Sequence, residues 1–301
     1  MTESMPAAAA TLSAEARPVL RSPGRMALRR FLRHKLAIAG VVVLLLVVLV
    51  TVFAPLLTAY DPTKVDLSQV RKPPSADHVL GTDASGRDVF ARLLYAGRVS
   101  LLVGVFSALL AVGIGTLLGA FAGILGGWVD SVIMRVADIF LSFPVLVVMI
   151  VIAGILGPSV TTMVIAIGVF TWPEAGRVVR GVTLSLRERE FVQASQAFGA
   201  RTRWLIVHHV LPAVLNQVVV VATLAVATGI LLEASLSFLG LGVQPPQPSW
   251  GNMLTDAQRL TVISQMPWLW LPPGIAVALT ALSVNFVGDG LRDALDPREA
   301  S

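Results

Sequence analysis

Apolar residues along this chain come in long uncharged blocks, and the block lengths set the predicted elements. Leu36–Tyr60, which contains LAIAGVVVLLLVVLVTVF, carries no charge. A helix needs about 20 apolar residues to cross a bilayer, so this block predicts a first span, with Pro55 at its end. Val99–Val129 predicts a second, glycine-rich span. Ile139 to Pro173 is also uncharged, but at 1.5 Å per residue it would reach about 52 Å, against a hydrocarbon core of about 30 Å. Gly157-Pro158-Ser159 divides it, predicting spans at about 131–156 and 160–178. Trp204–Leu232 holds a fifth, starting near Pro212, and Leu260–Gly288 a sixth. The pattern therefore predicts an all-α membrane protein with six transmembrane helices.

Composition agrees with that class. The 301 residues are 55% hydrophobic and 14% charged, where a soluble domain averages about 25% charged. Mean hydropathy is +0.79. The net charge of +5 fits basic residues gathered on the cytoplasmic side of a membrane better than nucleic-acid binding. Six spans put both termini on one side. Arg25, Arg29, Arg30, Arg33 and Lys35 precede the first span, which makes that side cytoplasmic. More than two thirds of the 23 basic residues then fall on it. Residues 1–28 read as a disordered arm, the first 24 being rich in Ala, Ser and Pro. Residues 29–60 form the first membrane region, 61–98 an outside loop, 99–292 a core of five further spans, and 293–301 a cytoplasmic tail.

Within the outside loop, SGRDVFARLLYAGR (85–98) places Val89, Phe90, Leu93 and Leu94 on one helical face and Arg87, Asp88 and Arg92 elsewhere. It predicts an amphipathic helix, lying in the membrane interface or packed on the spans. GLGVQPPQPSWGNM (240–253) predicts an extended loop with turns. Few ionisable residues lie near the spans. Arg135 and Asp138 are spaced i,i+3, as are Glu174 and Arg177, and each spacing allows a local ion pair. Asp138, Glu174, Glu233, Asn285 and Asp289 are candidate polar residues of a pore or interface. With no cysteine there is no disulfide or thiolate chemistry. No HExxH helix and no P-loop can be written, so there is no catalytic or metal candidate, and any ATPase must be another chain.

Between the fourth and fifth spans lies a polar stretch, 174–203. In REREFVQASQAFGA, Phe191, Ala194 and Phe198 share one face at i, i+3 and i+7. Ala194, Ser195 and Ala197 are small enough for another surface to approach closely, and Gly199 can take a positive φ and end the helix. RTRWLIVHHVLP then restarts a helix, with Pro212 opening the next span. The stretch predicts a helix–turn–helix, either docking a partner or serving as a solvated connector.

At these residues the chain resembles the permease subunits of bacterial ABC importers, whose loop pattern is Glu-Ala-Ala-x3-Gly-x9-Ile-x-Leu-Pro. Gln193, Ala194, Ser195, Gly199, His209, Leu211 and Pro212 occupy its positions, with Gln193, Ser195 and His209 departing from it. Glu190 lies one turn earlier. HVLGTDASGRDVFARLLYAGRVSL (78–101), EASLSFLGLGVQPPQPSWGNML (233–254) and GDGLRDALDPR (288–298) resemble the C-type permease of dipeptide and oligopeptide importers, over about Arg29 to Arg298. The resemblance implies a type I permease fold with a cytoplasmic coupling helix in a loop at about 180–212, formed by Glu190, Phe191, Gln193, Ala194, Ser195, Ala197, Phe198, Gly199, Leu211 and Pro212. It implies a multi-pass protein of the bacterial plasma membrane. The implied partners are a second permease, two cytoplasmic ATPases holding ATP and Mg, an extracytoplasmic binding lipoprotein and a peptide cargo. No cofactor belongs to this chain. Nickel chelates, glutathione or haem are alternative cargoes, and an ion-coupled secondary transporter is the rival class.

Overall fold

The computed structural model describes residues 23–295, and among them no strand forms. In chain order the helices are α1 (Pro23–Phe31), α2 (Lys35–Val52), α3 (Ala54–Leu57), α4 (Val89–Leu125), α5 (Gly127–Ser142), α6 (Val145–Leu156), α7 (Val160–Arg187), α8 (Glu190–Ala197), α9 (Thr202–Leu205), α10 (Leu211–Phe238), α11 (Trp250–Met253), α12 (Leu260–Gln265) and α13 (Pro267–Leu295). Residues 1–22 of the expected arm and 296–301 of the expected tail lie outside the described residues. Residues 23–28, expected to be disordered, begin α1.

Among the described residues, four rods are long and apolar enough to cross a membrane: α2, α4, the continuous helix Thr202–Phe238, and α13. The expected span at 131–156 is instead two helices, α5 and α6, bent by 85°. Pro144 causes the break: it disfavours helical geometry at Phe143, whose ψ is 139°. Counted as a single crossing, the bent pair raises the number to five. α7 is apolar to Pro173 and charged from Glu174 onward, and the expected count of six requires it to cross as well.

Glycine sets how closely these rods pack. Along α4, Gly115, Gly119 and Gly123 recur every four residues and so share a face. A Cβ on Gly115 would stand 2.6 Å from the Trp172 carbonyl oxygen, and one on Gly119 would press closer still on that of Gly176. A Cβ on Gly123 would meet Thr183 at 2.5 Å. The small-residue run of 112–127 is therefore used largely inside the chain, to seat α4 on α7. Gly104 and Gly229 do the same where α4 crosses α10, and Gly40 and Gly290 where α2 crosses α13. The last crossing, with His34 Nε2 3.5 Å from Asp293 Oδ2, brings the start of α2 and the end of α13 to one end of the bundle.

At the opposite end, residues 58–88 fold as a polar module. Asp83 Oδ2 accepts from Arg87 Nε at 2.7 Å and lies 3.3 Å from Arg92 Nε. Arg92 is buried and also donates to the Pro62 carbonyl at 3.1 Å. Asp88 caps α4 through Ala91 N–H and holds His78 Nδ1 at 2.8 Å. Gly86, at φ 73°, leaves no room for a side chain, since a Cβ would overlap the Asp66 carbonyl oxygen. Hydrogen bonds from the Ser68 hydroxyl and backbone hold the exposed Asp66 carboxyl below its usual range. The amphipathic helix expected at 85–98 is not a separate element: from Val89 it is the first three turns of α4, and Arg92 turns inward to Asp83.

Candidate functional site

The polar stretch folds at the end of the bundle where α7 and Thr202–Phe238 meet. α7 continues to Arg187, and α8 follows after Glu188 and Arg189. α8 ends in a paired hydrogen-bond motif: Ala200 N–H donates to the Ser195 carbonyl at 3.0 Å and Gly199 N–H to that of Gln196 at 2.9 Å. That motif needs a left-handed residue after the cap, and Gly199 supplies it at φ 82°. The chain then re-enters a helix at Thr202.

Across Ile206–Val210 the ladder widens by one residue, with Leu211 N–H donating to the Ile206 carbonyl. Pro212 has no N–H, and its ring would clash with the carbonyl four residues back; a widened turn just before it accommodates both. The helix continues to Phe238 without a break. The turn at Gly199 is thus joined to a membrane span by a single rod. Beneath it, Ala120, Ile124, Val179, Ile206, Val210 and Val214 form a core cluster uniting α4, α7 and that rod.

Of α8 itself only Val192 is buried. Phe191, Ala194 and Phe198, expected on one face, are all exposed, Phe198 to 92%. Trp204 and Val207 add 44% and 54% exposed apolar surface nearby. Gln193 and Glu190 are exposed, and Gln193 Nε2 is 3.4 Å from the Glu188 carbonyl. Ala197 and Pro212 are exposed, and Leu211 is half-buried.

His209 holds α8 to the rod. Its ring packs edge-on against Phe191 at 5.3 Å and Trp204 at 5.1 Å, and its Nε2 lies 3.3 Å from Ser195 Oγ. The Ser195 hydroxyl donates to the Phe191 carbonyl at 2.8 Å, leaving its oxygen to accept from the imidazole N–H. Ser195 and His209 are two of the three departures from the family pattern, and they face each other.

The five candidate pore residues are not brought together. Glu233 is fully buried, accepting from Ser100 Oγ and Ser237 Oγ, each at 2.7 Å. Ser100 Oγ accepts from Trp250 N–H at 3.2 Å, and Ser237 Oγ from Val243 N–H at 3.1 Å. Glu233 is an internal tie between α4, α10 and the 240–253 loop, where Ser249 and Asn252 cap the unforeseen α11. Asp138 pairs across helices with Arg177, 2.6 Å away, and not with Arg135. Among the described residues Glu174, Asn285 and Asp289 make no ion pair or side-chain hydrogen bond. Asp130–Arg180, a two-pronged pair at 2.5 and 2.6 Å, joins α5 to α7 and was not foreseen.

Residues 115–301 match the family described as binding-protein-dependent transport system inner membrane component. Residues 22–74 match the N-terminal TM domain of oligopeptide transport permease C. The chain is 45% identical over 280 residues to the dipeptide transport system permease protein DppC of Alkalihalophilus pseudofirmus, covering 93% of this chain and 91% of the relative. It is 41% identical over 273 residues to the oligopeptide transport system permease protein OppC of Bacillus subtilis, covering 90% and 88%. It is 40% identical over 280 residues to the glutathione transport system permease protein GsiD of Pectobacterium atrosepticum, covering 93% and 92%.

Proposed function

Because the chain belongs to the family of binding-protein-dependent transport system inner membrane components, an ABC importer permease family, we propose that it forms half of a peptide passage and transmits the work of two ATPases through α8. The observation that carries this reading is the turn at Gly199: an exposed apolar surface, Phe191, Phe198, Trp204 and Val207, borne on a short helix fused to a continuous rod that enters the membrane. Such a patch marks a protein contact.

In this reading the α8 end is cytoplasmic, and α2, α4, the α5–α6 pair, α7, Thr202–Phe238 and α13 are six crossings. A second permease completes the passage. The two ATPases hold ATP and Mg, so hydrolysis belongs to those subunits, and this permease makes and breaks no bond. An extracytoplasmic binding protein delivers the cargo to the module at 58–88 and the loop at 240–258. When the ATPases close, the cleft holding α8 moves. The rod beyond Pro212 carries that displacement into the bundle, because His209 and the apolar cluster beneath prevent α8 from swinging independently.

Relatives named for dipeptide and oligopeptide transport support a peptide cargo. The relative named for glutathione transport favours glutathione, itself a modified peptide, as second reading. The test is ATP-driven uptake in vesicles holding the full importer with its binding protein. Uptake of a dipeptide that requires ATP and this subunit is expected. Equal uptake driven by an ion gradient without ATPases would overturn the reading.

A further inference from the structure

Along α5 and α7 one strip of the surface left uncovered by the rest of the chain is polar, and it ends at a break in the backbone. On α5 the exposed residues Ser131, Arg135, Asp138 and Ser142 recur at spacings of four, three and four, which at the helical repeat puts them on one face. Val132, Val136 and Ile139 take the neighbouring exposed face. α7 lies alongside with Glu174 and Arg177 exposed, and Arg177 bonds Asp138 with half of each side chain still open. Arg135 and Glu174 have no ion-pair partner among the described residues.

Phe140 meets Phe170 at 4.8 Å, registering the upper end of α5 on α7. Phe170 lies roughly 15 Å along α7 from Val160, about half of a ~30 Å hydrocarbon core. At that level the α5–α6 break leaves Leu141 to Pro144 exposed. Glu174 and Arg135 lie four and five residues, roughly 6 and 8 Å, nearer the α8 end than Phe170 and Phe140; irregular backbone at the break and charges this far inside the spans are not tolerated against lipid, and they line water or are covered by protein. Covering them with a partner subunit would bury charges at a high desolvation cost unless each met a counter-charge. A hydrated strip carrying both signs suits a cargo that itself carries both.

Building on the importer reading, we propose that this strip lines the aqueous passage and contacts a zwitterionic peptide in transit, Glu174 taking the ammonium terminus and Arg135 the carboxylate. The chain has no cysteine, so single thiols can be read without background. In the full importer in vesicles, Ser142→Cys and Glu174→Cys should react with a charged water-soluble methanethiosulfonate in at least one of the ATP-free and ATP-bound states. Val132→Cys and Ile139→Cys should not react in either. Glu174→Gln should slow uptake of a free dipeptide about ten- to a hundredfold, one charge-assisted contact's worth, with an N-acetylated dipeptide unchanged. Arg135→Gln should discriminate in the same way between free and amidated carboxyl ends. Unreactive thiols at both Ser142 and Glu174 in both states, or equal slowing of free and blocked peptides, would overturn the proposal and make the strip a subunit contact. Loss of all peptide uptake by the unsubstituted importer would strike the cargo reading instead, while the thiol pattern would still decide whether the strip is wetted.

Discussion

The Ser195–His209 contact explains at the residue scale how this chain departs from its family's loop pattern without losing the loop. Where the importer loop pattern has Ala and Ile, Ser195 and His209 hydrogen-bond at 3.3 Å. A net hydrogen bond is worth about 1 kcal/mol. Ser195→Ala and His209→Ile should each weaken coupling, and the double substitution should recover part of the loss, a non-additivity that a double-mutant cycle on stimulated ATP hydrolysis measures. Strictly additive losses would dissolve the pairing. Glu233 gives a second test. Glu233→Ala leaves the Ser100 and Ser237 hydroxyls without their acceptor, at about 1–3 kcal/mol, and should lower the melting temperature of the detergent-purified permease pair. Glu233→Gln keeps a carbonyl acceptor and should cost less. Spacing could have suggested Glu233 with Ser237, one turn apart. Ser100 is 133 positions away, and no local pattern carries that pairing. The same holds for Asp138, whose nearest charge in sequence is Arg135 but whose partner comes from another helix.

Helix packing explains which elements were legible. The turn at Gly199 was readable because every signal for it is short-range: the apolar spacing, the glycine, the restart before Pro212. The α5–α6 bend was not foreseen although Pro144 signals it, because apolar periodicity runs unbroken across a kink when both arms are apolar. The glycine run of α4 forms a seam inside the chain, its members at 115, 119 and 123 facing α7. Gly119→Val should therefore disrupt this subunit itself, lowering the amount of folded protein in membranes, since its Cβ would meet backbone that cannot give way. A Cβ on Gly113 would have nothing within 4 Å, so Gly113→Val should leave the folded yield within about twofold, at the roughly 0.5 kcal/mol typical of an open surface site. Equal loss in both variants would argue against the internal seam.

For the molecule as a whole, the long apolar blocks made the membrane class readable, while the pairing of rods and the fold of the polar module at 58–88 depend on long-range contacts. If the basic residues set sidedness and put the α8 end in the cytoplasm, Ser75→Cys and Gln247→Cys should react with an impermeant thiol reagent in intact cells, and Ser185→Cys should not. If α8 carries motion between the ATPases and the bundle, Gly199→Val should break that link. Its side chain would enter open space, so the damage is confined to the backbone, where a β-branched residue at φ 82° costs about 1–3 kcal/mol. The measurement is ATP hydrolysis stimulated by loaded binding protein, beside peptide uptake, in vesicles holding the full importer. Gly199→Val is expected to insert and pair normally while uptake falls sharply and hydrolysis is lost or no longer responds to loaded binding protein. Unchanged uptake with fully stimulated hydrolysis would refute the coupling role and leave α8 a connector, not a lever.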